Sequence, residues 1–171
     1  MLEVHVDDWH ATGPKGVLEE MGKEMENFAK VKEWRLHSPT DGVQYDHLQR
    51  MRTRVPEGTR VHANVKYIDG VAALLGMQRC ISVPAPAVKG QRAIEGEEMI
   101  ALDDGEAQKY RSAVGTLLYV APDKMEVQWP IGELASDMKS PRKSSMRKLK
   151  RAVRYLAGEA RDNWHADFLS R

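Results

Sequence analysis

Leu2-Glu3-Val4-His5-Val6-Asp7-Asp8-Trp9-His10-Ala11-Thr12-Gly13 stands at the start of the chain. Leu2, Val4 and Val6 alternate with Glu3 and His5, the period of two that sends successive side chains to opposite faces of a strand. Two aspartates interrupt the alternation and Trp9-His10-Ala11 leads away, which predicts strand, tight turn and strand with Asp7 and Asp8 at the tip. Strands on both sides of a turn hold a pair of carboxylates at one edge while their backbones stay hydrogen-bonded. That arrangement suits a divalent metal. Mg²⁺ (or Mn²⁺) prefers hard oxygen ligands, and one or two carboxylates plus substrate phosphates and water complete its octahedron. Two such ions about 4 Å apart activate an attacking hydroxyl and stabilise the leaving oxygen in phosphoryl transfer. Asp-Asp is equally ordinary turn chemistry, because Asp satisfies local backbone donors, so the dipeptide alone leaves both readings open.

Outward from this ribbon the period changes. Leu18, Met21, Met25 and Phe28, with Glu and Lys between them, predict an amphipathic helix with one packed side. Extended segments over about 43–53 and 60–67 follow, joined by Val55-Pro56-Glu57-Gly58 in the manner of a hairpin. Asp69 offers an N-cap for a short helix through Val71, Leu74 and Leu75 that Gly76 closes. From Pro84 the chain carries prolines, glycines and a cluster of acids with few large apolar residues, and 84–109 reads as a linker. Helices are expected over Tyr110 to Val120, about 127–138 and 144–156. Pro130 falls in the second of these, where a missing hydrogen bond costs about 3 kcal/mol and predicts a kink or a late start. The fold class is α+β: a small mixed part over 1–83, a tether, a three-helix part over 110–158 and a tail over 159–171.

The chain has 171 residues, 42% hydrophobic and 30% charged, which fits an ordinary globular composition. Its mean hydropathy is −0.56, and no apolar run approaches the roughly 20 residues of a membrane span. Met1 to Val6 lacks the basic and apolar regions of a signal peptide, so an unsecreted protein is expected. The single cysteine, Cys80, excludes an internal disulfide framework and reads as a small buried hydrophobe; the default setting is intracellular, in cytoplasm or nucleus. The net charge of +1 conceals a division. Met1 to Met138 holds 16 basic and 22 acidic residues, or −6, whereas Lys139 to Arg171 holds 10 and 3, or +7. On a helix over 144–156, Met146, Leu149, Val153 and Leu156 share one face, and Lys143, Arg147, Lys150, Arg151 and Arg154 centre roughly 140° away. No acid lies between Lys139 and Gly158. A solvated face mixes Glu with Lys, so a face of one sign favours nucleic-acid phosphates.

The Val4 to Gly13 stretch resembles the catalytic hairpin of reverse transcriptases, whose signature is Tyr-x-Asp-Asp between apolar residues. Lys66-Tyr67-Ile68, Leu75-Gly76-Met77 and Ser82-Val83-Pro84 are similar to the end of the palm in copia-type long-terminal-repeat retrotransposon polymerases. The block Tyr110-Arg111-Ser112-Ala113-Val114-Gly115-Thr116-Leu117-Leu118-Tyr119-Val120-Ala121-Pro122 carries the most specific likeness, with Glu133-Leu134-Ala135-Ser136 and Lys150 to Gly158 in the same order. The resemblance covers about residues 1–158 and implies RNA-directed DNA polymerisation, with Asp7 and Asp8 as metal-binding catalytic carboxylates and His5 beside the nucleotide. It implies a thumb formed by the last helix, a template-primer duplex as partner, and the fingers, front palm and RNase H of a polyprotein as neighbours. The family's third carboxylate lies before the hairpin, so a chain starting at Met1 is expected to be inactive alone. His5 replaces the family's Tyr, and Lys124-Met125-Glu126-Val127 replaces Arg-Pro-Asp-Ile.

Two other readings of these residues stand beside that one. His5 and His10 flank the aspartates and, across a regular hairpin, would face one another as ligands for zinc or another transition metal; each is equally an ordinary half-exposed strand residue. For the whole chain, the alternative is a retroelement-derived nucleic-acid-binding module without catalysis, and a third option is an inert product. The methionines at helical spacing read as core.

Overall fold

A computed structural model describes residues 2–6, 8–31, 34–38, 42–55, 58–88 and 100–162. It is an α+β chain that divides between Val61 and His62 into two units. In the first, β1 (Leu2–His5) and β2 (Asp8–Ala11) pair antiparallel, with Leu2 opposite Ala11, Glu3 opposite His10, Val4 opposite Trp9 and His5 opposite Asp8. The expected ribbon is therefore present, but its turn falls between His5 and Asp8: Asp8 already belongs to β2, and Asp7 lies outside the described residues. Two-residue hairpins demand positive φ, and Val6 adopts 54°, a conformation in which a β-branched residue is strained by about 1–3 kcal/mol.

Helix α1 (Lys15–Phe28) follows Pro14 as expected. Leu18, Met21 and Met25 are half-buried, but Phe28, the last residue of the helix, is 91% exposed. Trp34 packs closely on α1 at Gly22, where an added Cβ would come within 2.9 Å of the ring. Trp34 Nε1 also donates to Glu26 Oε1 at 2.8 Å.

The segment expected as one strand over 43–53 is instead a hairpin. β3 (Gln44–His47) and β4 (Arg50–Val55) pair antiparallel, with Tyr45 opposite Arg52 and His47 opposite Arg50. Their turn is Leu48-Gln49, with φ of 53° and 62°. Two consecutive left-handed residues make the tight hairpin connection, and here neither is the Asn, Asp or Gly that announces it in a sequence. β5 (Gly58–Ala63) completes the order β3-β4-β5. It ends short of the expected Tyr67, which lies in a helix.

That helix, α2 (Lys66–Leu74), is started by Asn64, whose Oδ1 accepts from the Lys66 backbone at 3.0 Å; Asp69 sits inside it rather than at the cap. Gly76 closes it as expected, with φ 67°, its N–H donating to Ala73 O at 3.0 Å and that of Met77 to Ala72 O at 2.7 Å. This paired closure satisfies carbonyls that the helix itself leaves open. Ile68, Val71 and Ala72 are buried, so α2 packs within the second unit and not with the mixed part to which its sequence position had joined it.

The second unit adds α3 (Asp104–Val120), α4 (Met125–Ser136) and α5 (Lys143–Asp162). α2 and α4 each lie against both α3 and α5, a four-helix arrangement where three helices were expected. α3 begins six residues before the predicted Tyr110, capped by Asp103 Oδ1 accepting from Glu106 N at 2.8 Å; acids that resembled linker composition are the favourable charges of a helix start. The chain before α3 is also held, Ala101 bridging Arg142 and Leu102 N donating to Pro141 O at 3.0 Å. The 89–99 part of the expected linker lies outside the described residues, as do 163–171 of the expected tail. Pro130 neither delays nor ends α4: it is buried in the core, and as the sixth residue it forgoes only the bond to Glu126.

Leu117, Val120, Val127, Ile131, Leu149, Val153 and Leu156 have no exposed surface and fill the centre of the bundle. Tyr110 is buried with them, its hydroxyl donating to Leu134 O at 2.7 Å. Burial first, and then the Asp137 charge, hold its phenol well above the ordinary 10.0, while a hydrogen bond with Ser145 pulls the other way. Ser145 Oγ donates to Asp137 Oδ2 at 2.7 Å and receives the Arg142 N–H at 3.3 Å, fixing the first turn of α5.

Candidate nucleic-acid interface

α5 carries the first candidate surface. Met146, Leu149, Val153 and Leu156 are all buried, so the helix cannot rotate about its axis without withdrawing that face from the core. The opposite side therefore has a fixed orientation. Lys143 and Lys150 are exposed, with Lys148 beside them, whereas Arg147, Arg151 and Arg154 are half-buried. Arg154 Nε donates to Ile81 O at 2.7 Å. Beyond it, the Ser82 segment crosses α5 so closely that a Cβ on Gly158 would meet Ser82 Cβ at 2.5 Å. From Lys143 to Arg154 the face extends about 16 Å along the axis. Its arginines are braced along their stems and its lysines reach solvent, a combination that places charge firmly while keeping it accessible.

The ribbon β1–β2 is the second candidate. His5 and Asp8 are register partners beside the turn, so two of the three residues named by the resemblance are brought to one end of the hairpin. Asp7 is outside the described residues, and among the described residues no group of three or more His, Cys, Asp or Glu could hold a metal ion. The donor chemistry of Asp7 and Asp8 is that of Mg²⁺, which needs only one or two protein carboxylates when substrate phosphates supply the rest. The imidazole reading fares differently. His10 stands opposite Glu3, not His5, and its two ring nitrogens are engaged: Nε2 lies 3.1 Å from Tyr45 Oη and Nδ1 3.4 Å from Arg52 Nη1. The ring nitrogens that this reading would use on His10 therefore already have protein partners.

Sequence reasoning passed over what His10 touches. Arg50, Arg52 and Arg54 recur with a period of two, so β4 presents them on one face, shared with their register partners Tyr45 and His47. Arg54 Nη1 donates to Thr59 Oγ1 at 2.6 Å. His37 stacks on Tyr45 with centroids 4.6 Å apart and planes 7° from parallel, and His10 lies 5.2 Å from His47. The Arg-x-Arg-x-Arg alternation was available as a signal, but the long-range contact of His37 and His10 was not.

Cys80 is half-buried against the bundle core, as a small hydrophobe would be, and Met146 is buried, while Met125 is 83% exposed on α4. Among the described residues no helix is long and apolar enough to cross a membrane. Comparison with family models, with curated proteins and with solved structures yields no match.

Proposed function

We propose that this chain binds the backbone of a nucleic-acid duplex through α5, as the thumb of the C-terminal palm and thumb part of a copia-type RNA-directed DNA polymerase. The observation that carries the binding is the one-signed face Lys143, Arg147, Lys150, Arg151 and Arg154 on a helix whose other side is locked into a core. Such a face neutralises phosphates and releases their counterions without reading base edges. The polymerase assignment is supported by the sequence resemblance and by an antiparallel ribbon that carries His5 and Asp8 beside its tip. Mg²⁺ held by Asp7 and Asp8 would supply charge stabilisation at the phosphates of an incoming nucleotide. His5, as the register partner of Asp8, would sit beside that nucleotide.

Fluorescence anisotropy on a labelled duplex tests the binding. With about four phosphates neutralised, log K against log[salt] has a slope near −3.6, and Ala at Arg147, Lys150 and Arg151 reduces its magnitude by about 2.7. A slope unchanged by the triple variant defeats the assignment of α5. The non-catalytic module is the second reading, favoured by the placement of α5 in a unit that folds around its own core. Mg²⁺ separates the two. The polymerase reading has Mg²⁺ tighten template-primer and nucleotide binding in a manner lost in Asp7→Asn and Asp8→Asn, whereas in the module it acts only as a competing counterion.

A further inference from the structure

We propose that the β4 face of the first unit is a second, separate nucleic-acid surface, and that its partner is a single strand whose phosphates follow Arg50, Arg52 and Arg54 while a base stacks on His37, at the end of the ring stack that Tyr45 begins. The first 138 residues are acidic as a whole, at −6, and this hides the local charge: β3, β4 and β5 hold four arginines against the single acid Asp46. Folding then sorts the arginines. Alternation puts Arg50, Arg52 and Arg54 on one face at intervals of about 6.8 Å, and sends Asp46 and Arg60 to the other. An extended strand of nucleotides carries its phosphates at a comparable repeat, and a row of guanidinium groups follows such a line.

The rings decide between single strand and duplex. Tyr45, opposite Arg52, carries two stacked rings, His37 at 4.6 Å and His10 at 6.0 Å, so a base would extend this stack at His37. Unpaired bases offer open π-faces to rings and to guanidinium planes, whereas bases in a duplex have theirs covered. Arg54 is braced on Thr59 and Arg52 on His10, so the guanidinium groups are partly oriented before any ligand arrives. His10 also ties β2 to this face through Tyr45 at 3.1 Å, so a strand lying on β4 would pass beside the ribbon that bears Asp8. The surface is built wholly within the first unit and does not depend on α5.

The test uses the full chain and two probes, an oligothymidylate of about 20 nucleotides and a duplex of the same length. Arg50→Gln with Arg54→Gln, which spares the Arg52–His10 contact, should weaken oligothymidylate binding and lower the magnitude of its salt slope by about 1.4, since each single-strand phosphate contributes about 0.7. Duplex affinity should hold in that variant, and the α5 triple variant should show the converse, so the two surfaces fail separately. An oligothymidylate slope unaltered by the double variant, or duplex and single strand weakened alike, overturns the proposal. Photocrosslinking of the unmodified chain to an oligonucleotide bearing 5-iodouracil needs no variant to fold. The expected adduct is on the tryptic peptide 36–50, which contains His37 and Tyr45, and adducts confined to other peptides would overturn the assignment.

Discussion

The two units of this chain are held together by different chemistry. Among the described residues, every buried apolar side chain lies between Ala63 and Ala157, in the second unit. The first unit buries His47 and Thr59, packs Trp34 on Gly22, and joins its ribbon to its sheet through His10, Tyr45 and Arg52. Leu2, Val4 and Trp9 are about half exposed there, at 49%, 52% and 46%. Apolar burial contributes about 25 cal/mol per Å², whereas hydrogen bonds exchanged with water contribute about 1 kcal/mol each. The four-helix unit therefore holds most of the stability, and the unit with the ribbon and the arginine face holds little.

The largest blow to this contrast comes from the core. Leu117→Ala empties a fully buried site between α3 and its neighbours and should cost about 3 kcal/mol in urea unfolding, leaving amide exchange in β1–β2 unchanged. Faster exchange in the ribbon would show that the first unit borrows its stability from the bundle. A pair of glycines sharpens the same point. Gly158→Ala drives a methyl into Ser82 Cβ and should cost about 2 kcal/mol, whereas Gly22→Ala meets the ring of a Trp34 that is 40% exposed and free to shift, at well under about 1 kcal/mol by thermal melting. Equal losses at the two positions would erase the distinction. A smaller loss than that at Gly158 is expected at Tyr110. Tyr110→Phe takes the hydroxyl donor from the Leu134 carbonyl, which keeps the Asp137 N–H, and should lower stability by about 1 kcal/mol at neutral pH.

The sign of that last effect reverses in alkali. The folded state holds the Tyr110 proton more tightly than the unfolded chain does, so its contribution is intact below pH 10.0 and is lost as pH rises further and the unfolded phenol ionises. Phe has no proton to lose. Equilibrium unfolding of the two proteins above pH 10.0 should therefore converge and then cross.

Periodicity gave the first ribbon, α1 and the apolar face of α5, because one burial pattern governs each. It failed where short-range signals were ambiguous. Leu48-Gln49 makes a hairpin turn that normally needs Asn-Gly, so β3 and β4 read as one strand. Asp103 and Asp104, acids in a glycine- and proline-bearing stretch, looked like linker until their position at the start of α3 gave them a role. Of the candidate site, the charge on α5 was legible to the residue. Which cations stand clear was not, because Ile81 and Ser82 reach α5 from more than seventy positions away.

By itself the amino-acid order determined where charge accumulates, which helix face is apolar and that an Asp-Asp pair follows a strand, since each depends on neighbours a few residues apart. Only the tertiary arrangement decided that α2 joins the bundle, that His10 meets Tyr45 and Arg52, and that arginines scattered through an acidic half align on one sheet face. Those outcomes are set by contacts between segments whose pairing is fixed by burial and register over the whole fold, and no local pattern encodes them.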